Sequence, residues 1–238
     1  MAKSKLIKEL ANNEISLEIA LNRIIIIAAD IDNPKLTQWA ERELNGYAYE
    51  DNLPSYRIAK GAPVLYSGLS GYLKISNAEL AMYNLFDTNN PKEKEMLDLI
   101  MNRKICEGIA TVEKAANDSN SSRSYDLMFI AGLVLAKTGV QCTSISQSVS
   151  SAVYENIVNN LKTTILKILL ELDKSFDELD ELDIDISTKS DEDVENVNKI
   201  INNYIYIGDN NSIKGTTIDA TGENNRDEIG RASCRERV

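Results

Sequence analysis

The chain has 238 residues, of which 43% are hydrophobic and 26% charged, the balance of a folded protein with room for one domain and a tail or for two small domains. A formal net charge of −11 argues against free-standing binding to nucleic-acid phosphates, which requires a basic surface. The sequence contains no histidine, which removes His-dependent triads, His-based zinc sites and His general bases together.

Residues 1–14 interleave Lys3, Lys5, Lys8 and Glu9 with apolar side chains and lack the continuous apolar run of a signal peptide. Leu6, Ile7 and Leu10 form a short helical face. Ser16 is placed to cap a second helix reaching Ile31, with Leu17, Ala20, Leu21, Ile24, Ile27, Ala28 and Ile31 at three- and four-residue intervals. Asn33-Pro34 then signals a helix start, since proline at the first helical position forfeits no hydrogen bond. That helix carries Leu36, Trp39, Ala40 and Leu44, and Asn45-Gly46 stops it.

From Tyr47 to about Ile75, Tyr, Val, Ile, Gly and Pro dominate, which predicts two or three short strands with turns at Gly68 and Gly71. Asn90-Pro91 repeats the cap-then-proline signal, and residues 92–117 read as two helices broken near Glu107-Gly108. A polar loop over 118–124 follows. Residues 126–138 read as a buried helix ended by Gly139, and 140–145 as a short strand. The apolar run Leu127–Ala136 within that helix is about half of the ~20 residues needed to cross a bilayer, so no membrane span is expected.

The clearest element is a helix from about Ser148 to Leu179. Val158, Leu161, Ile165, Ile168, Leu172, Phe176 and Leu179 recur with close to a 3.5-residue period. Two readings are open: the central core helix of the domain, or a helix that also pairs with a second copy through Val158, Leu161, Ile165, Ile168 and Leu172. Beyond it, 177–193 is carboxylate-rich and reads as a linker, followed by a short helix over 191–202. Residues 204–213 mix β-prone side chains with turn formers and suggest short strands able to add to another sheet edge. The final ten residues, 229–238, read as the translation of a common short-read sequencing adapter, so the natural protein is expected to continue past Glu228. The expected organisation is therefore a helical domain over 1–180, an acidic linker with a short helix over 181–202, a β-prone tail over 203–228, and the non-native residues 229–238.

No phosphate-binding glycine loop occurs, and Gly68-Leu69-Ser70-Gly71 falls one residue short of a nucleophile elbow, with no histidine to activate Ser70. The pairs Asp30-x-Asp32 and Asp183-x-Asp185 lack the glycine and distal glutamate of a calcium loop and read as solvated turns. Cys106, Cys142 and Cys234 are too few and scattered for a disulfide framework or a zinc site, which fits a reducing cytoplasm. No catalytic residue, metal ligand or cofactor is assigned from the sequence.

One stretch stands out. Trp39, Glu43, Asn45, Gly46 and Tyr47, followed by Asp51, Pro54, Tyr56 and Arg57, gather the only tryptophan, several aromatics and a charge pair around a helix end. It reads either as a helix cap with an aromatic lid, in which Glu43 or Asp51 pairs with Arg57, or as a recognition site, since aromatics and arginine are enriched in binding hot spots. The string E-L-N-G-Y-x3-D-x-L-P-x-Y-R over 43–57 resembles the signature of the AbiTii domain of bacterial abortive-infection proteins, and the resemblance extends from about Lys5 to Leu179. It implies a role in defence against phage and supplies no catalytic residues. The expected fold is α+β and predominantly α, with a small antiparallel β-element and one long C-terminal helix. The expected function is a non-catalytic sensing or oligomerisation module that associates with itself or a protein partner, the alternative being a small toxin with carboxylate-dependent, nuclease-like activity.

Overall fold

The computed structural model describes residues 3–118, 122–176, 179–181, 184, 186 and 189–206. Asp183-x-Asp185, Cys234, the adapter-like residues and most of the expected β-prone tail lie outside them.

Three capped helices open the chain. Ser4 Oγ accepts from Ile7 N–H at the start of α1 (Lys5–Ala11), and Ser16 Oγ accepts from Ile19 N–H at the start of α2 (Leu17–Asp30). Asn33 Oδ1 accepts from Leu36 N–H ahead of α3 (Pro34–Asn45), with the proline at the first turn as its sequence predicts. The start of α1 is held a second time from afar. Asp180 takes the N–H groups of Lys5 and Leu6 at 2.8 and 3.0 Å, and Asp173 takes that of Ser4 at 3.1 Å.

The middle of the chain builds two small antiparallel sheets. β1 (Ile58–Lys60) pairs with β4 (Asn102–Lys104); β2 (Val64–Ser70), β3 (Leu73–Glu79), β5 (Arg123–Asp126) and β6 (Gln141–Val149) form a four-stranded sheet in the order β3-β2-β6-β5. Four helices lie between these strands: α4 (Met82–Leu85), α5 (Pro91–Met101), α6 (Ile109–Asn117) and α7 (Ala131–Thr138). The turns fall at Gly61 and Gly71, both with positive φ. Gly68, expected at a turn, sits inside β2 at a register shift, where a side chain would meet the backbone of Gln141 and Cys142. The expected buried helix over 126–138 is also different. Asp126 closes β5, α7 begins only at Ala131, and Phe129 and Leu135 are exposed.

The long helix α8 (Ser151–Ser175) follows, then α9 (Asp191–Tyr206). Leu161, Ile165, Ile168 and Leu172 have no exposed surface, and Val158 packs against the same core. The stripe that suggested a coiled coil therefore faces this domain's own helices. The opposite side of α8 carries Glu155, Asn156, Asn159, Asn160, Thr163 and Lys167, all exposed and polar. The region read as an acidic linker also differs from expectation. Leu179 and Ile184 are buried, and α9 packs on α8 and α3 through Val197, Ile201 and Ile205. Tyr204 and Ile205, read as β-prone, belong to that helix.

Two hydrophobic cores result. The larger joins α1, α2, α3, α6, α8 and α9; the smaller lies under the four-stranded sheet and gathers Val64, Leu85, Leu97, Ile130, Val134 and Ile145. Gln147 of β6 stitches them together. It is fully buried, and its Nε2 donates to Ala62 O at 3.2 Å and Ile100 O at 2.8 Å.

Candidate functional site

The signature stretch is built by the end of α3 and the chain that returns from it. Helical spacing places Trp39 and Glu43 on the buried face of α3, one turn apart. Gly46 ends the helix at φ 101°, where an added Cβ would stand 2.6 Å from Cys106 O. Gly108 answers it from the other side, because a Cβ there would stand 2.5 Å from Leu44 O. These two glycines let the end of α3 and the start of α6 touch backbone to backbone, closed by Tyr47 N–H donating to Cys106 O at 2.8 Å.

That contact encloses a charge pair. Glu43 and Arg57 are both fully buried. Glu43 Oε2 accepts from Arg57 Nη2 at 2.6 Å and Nε at 3.0 Å, and Oε1 accepts from the hydroxyls of Tyr47 and Tyr56, each at 2.7 Å. Arg57 Nη1 donates to the carbonyls of Glu107 at 2.7 Å and Ile105 at 3.2 Å, and the guanidinium lies 5.1 Å from the centre of the Tyr47 ring. Both carboxylate oxygens and all three guanidinium nitrogens are thus engaged, the condition under which buried charges are tolerated. Burial works against the charge on Arg57, but the Glu43 carboxylate outweighs it and raises the guanidinium above its ordinary value. Burial, then the Glu43 charge, push the phenols of Tyr47 and Tyr56 well above theirs.

Each residue singled out by sequence has its place. Of the two acids weighed as partners for Arg57, Glu43 takes the role. Asp51 instead meets Arg42 Nη2 at 3.2 Å and accepts from Ala48 N–H at 2.9 Å. Trp39 and Tyr47 turn inward, at 7% and 9% exposure, and Pro54 is buried beside them. The Trp39 indole N–H is directed toward the Tyr56 hydroxyl and moderates the rise of that phenol, without reaching hydrogen-bond geometry. Asn45 is exposed and acts through its backbone beside Gly108.

A second network adjoins the first and carries no local sequence signal. The Tyr125 hydroxyl donates to Glu107 Oε1 at 3.0 Å and meets the Tyr154 hydroxyl at 2.8 Å. Arg123 stands 3.8 Å from Glu107, and the Arg103 guanidinium stacks 4.0 Å from the Tyr125 ring centre. Burial, and then Glu107, raise the Cys106 thiol, so it is a poor nucleophile. No group of three or more metal-capable side chains occurs among the described residues.

These features define an α+β domain, predominantly α, whose most distinctive residues form a buried carboxylate–guanidinium–tyrosine cluster at a helix–helix contact. Residues 4–199 match the AbiTii family, and the chain belongs to that family. No curated protein and no solved structure matches it. No helix among the described residues is long and apolar enough to cross a membrane.

Proposed function

We propose that this chain is a non-catalytic sensing or oligomerisation module of a bacterial abortive-infection protein, acting through a protein-binding face on its sheet. Membership of the AbiTii family, named for abortive infection, supplies the setting. Two features of the helical half favour a scaffold role for it. Its signature acid and arginine neutralise each other in the interior, and the outer side of α8 is polar.

The observation that carries the reading is the distribution of exposed apolar side chains. Of the twelve large ones among the described residues, eight lie on the sheet and its helices: Leu69, Tyr72, Leu73, Tyr83, Met96, Leu99, Phe129 and Leu135. Tyr72 and Leu73, at the tip of the β2–β3 hairpin, are 106% and 73% exposed. Adjacent exposed apolar side chains favour an interaction surface, and these two adjoin β3, the edge strand of the sheet. Self-association through this face is tested by light-scattering mass of the whole chain beside Tyr72→Ser/Leu73→Ser. A dimer or larger species that becomes a monomer in the double variant is the expected result. A wild-type monomer, or an assembly indifferent to the substitutions, would overturn it.

A further inference from the structure

Between the β1–β4 sheet and α5 lies an open groove of about 610 Å³. It has room for roughly twenty waters' worth of liquid, and so for more than one large side chain. Its apolar members are Ile58 of β1 and Pro91 and Leu99 of α5, with Leu99 46% exposed. Its charges largely balance. Lys104 Nζ donates to the carbonyls of Tyr49 at 2.6 Å and Asp51 at 3.0 Å. Of the other charged residues, Lys60 and Lys94 are set against Glu95 and Asp98. A groove that offers both signs together with three apolar groups favours an uncharged, apolar guest over an ion. The β2–β3 hairpin ends in a protrusion of that kind. Ser70 pairs with Leu73 across the two-residue turn Gly71-Tyr72, so the tip is preformed and has little freedom to lose on docking. Residues 68–73 carry no charge, and Tyr72 and Leu73 project at 106% and 73% exposure.

Resting on the hairpin face proposed above, we infer that the hairpin tip of one copy seats in this groove of a second copy, with Tyr72 and Leu73 against Ile58, Pro91 and Leu99. The tyrosine brings an apolar ring with a polar end, and Asn102 in the groove can meet its hydroxyl. Lys74 directly follows Leu73, so a two-fold contact between two tips would bring like charges together. In the groove the same lysine finds Glu95 and Asp98. Tip and groove are different surfaces of one chain, and the contact between them is therefore head-to-tail. It closes as a reciprocal pair or a ring, or extends as a filament, according to the rotation it sets.

Light-scattering mass of the whole chain separates this contact from one between two tips. Two variants are set beside the wild type: Tyr72→Ser/Leu73→Ser at the tip and Leu99→Arg in the groove. All three positions are exposed and arginine is a good helix former, so thermal midpoints near that of the wild type are expected. The wild type is expected to be a dimer or larger, and each variant alone a monomer. Mixed in equal amounts, the two variants are expected to give a species of two chains. The intact tip of one then meets the intact groove of the other, and neither can add a third. An assembly of wild-type mass in Leu99→Arg, or an equimolar mixture that stays monomeric, would overturn the inference. If the tip variant is then itself a monomer, the hairpin face stands and only its partner surface falls. A monomeric wild type, or a tip variant of wild-type mass, would overturn both.

Discussion

Removing Arg57 is the sharpest perturbation of this fold. In Arg57→Met the side chain keeps most of its volume and loses every polar contact. Glu43 would then be a fully buried carboxylate held only by the hydroxyls of Tyr47 and Tyr56, and the carbonyls of Ile105 and Glu107 would lose their Nη1 donor. Breaking a buried ion pair from one side costs about 3–5 kcal/mol, most of it from the charge left behind. For a domain of this size each kcal/mol moves Tm by about 2–4 °C, so a fall of roughly 6–20 °C is expected. Removing the orphaned charge as well, in Glu43→Leu/Arg57→Met, should recover part of that loss. Full recovery is not expected, because two phenols and two carbonyls would still lack partners. Chemical denaturation of the four species of this double-mutant cycle, followed by far-UV circular dichroism with equal m-values required, measures the coupling. A cost below about 1 kcal/mol for Arg57→Met would refute the assignment of the pair as the anchor of the α3–α6 contact. So would a double variant whose loss equals the sum of the single losses.

The glycines offer a graded series. Gly108→Ala should destabilise strongly because the neighbouring Leu44 backbone cannot give way, whereas Gly132→Ala, in α7 with open space around it, should gain about 0.5–1 kcal/mol; equal midpoints in thermal melts would contradict this. Burial acts to raise the Asp180 carboxyl, but the N–H groups of Lys5 and Leu6 outweigh it and hold the group below its ordinary value. Its contribution is therefore present above the unfolded pKa near about 3.9 and is lost as pH falls through the lower folded value. Asp180→Asn should lower stability by about 0.3–1 kcal/mol at pH 7, with the gap to the unmodified chain closing under acid when urea midpoints are compared across pH. Tyr47, Tyr56, Tyr125 and Tyr154 all have raised phenols, burial being the first cause of each. Their protons leave the unfolded chain first, so stability should fall as pH rises above about 10. Absorbance near 295 nm should then contain a fraction that appears only as the circular dichroism signal is lost, and its full appearance in the folded protein would contradict the burial.

Much of this architecture could be read from the chain. Ser16, Asn33-Pro34, Asn90-Pro91, Gly46 and Gly139 mark helix ends by local backbone chemistry, which needs no tertiary partner to take effect. The pairing of Glu43 with Arg57 was one of two options the sequence allowed, and spacing could not choose between Glu43 and Asp51. What was hidden depends on distant segments. β4 and β5 are three and four residues long and exist only because β1 and β6 pair with them. The carbonyls of Ile105 and Glu107 that complete the Arg57 site lie about fifty residues away in sequence, with no motif of their own. Asp191, Glu192 and Asp193 stand in the first turn of the helix expected from Asp191, where carboxylates oppose its dipole. The apolar stripe of α8 was ambiguous because a 3.5-residue period describes a core helix as well as a coiled coil.

The short segment Ile105–Gly108 links the signature stretch to the rest of the molecule. Its carbonyls receive Arg57 and the Tyr47 N–H, and Gly108 admits the end of α3. The Glu107 side chain points the other way, to Tyr125 on the sheet edge and through it to Tyr154 in the first turn of α8. Four elements far apart in sequence thus share one contiguous set of hydrogen bonds: the α3 end, the α6 start, β5 and the α8 start. A shift of α3 could not be absorbed by sliding, since Gly46 and Gly108 leave no space and the Glu43–Arg57 pair cannot open without exposing a charge to the interior. The signature stretch is therefore joined to the β5 edge of the sheet and to the start of α8 through Glu107.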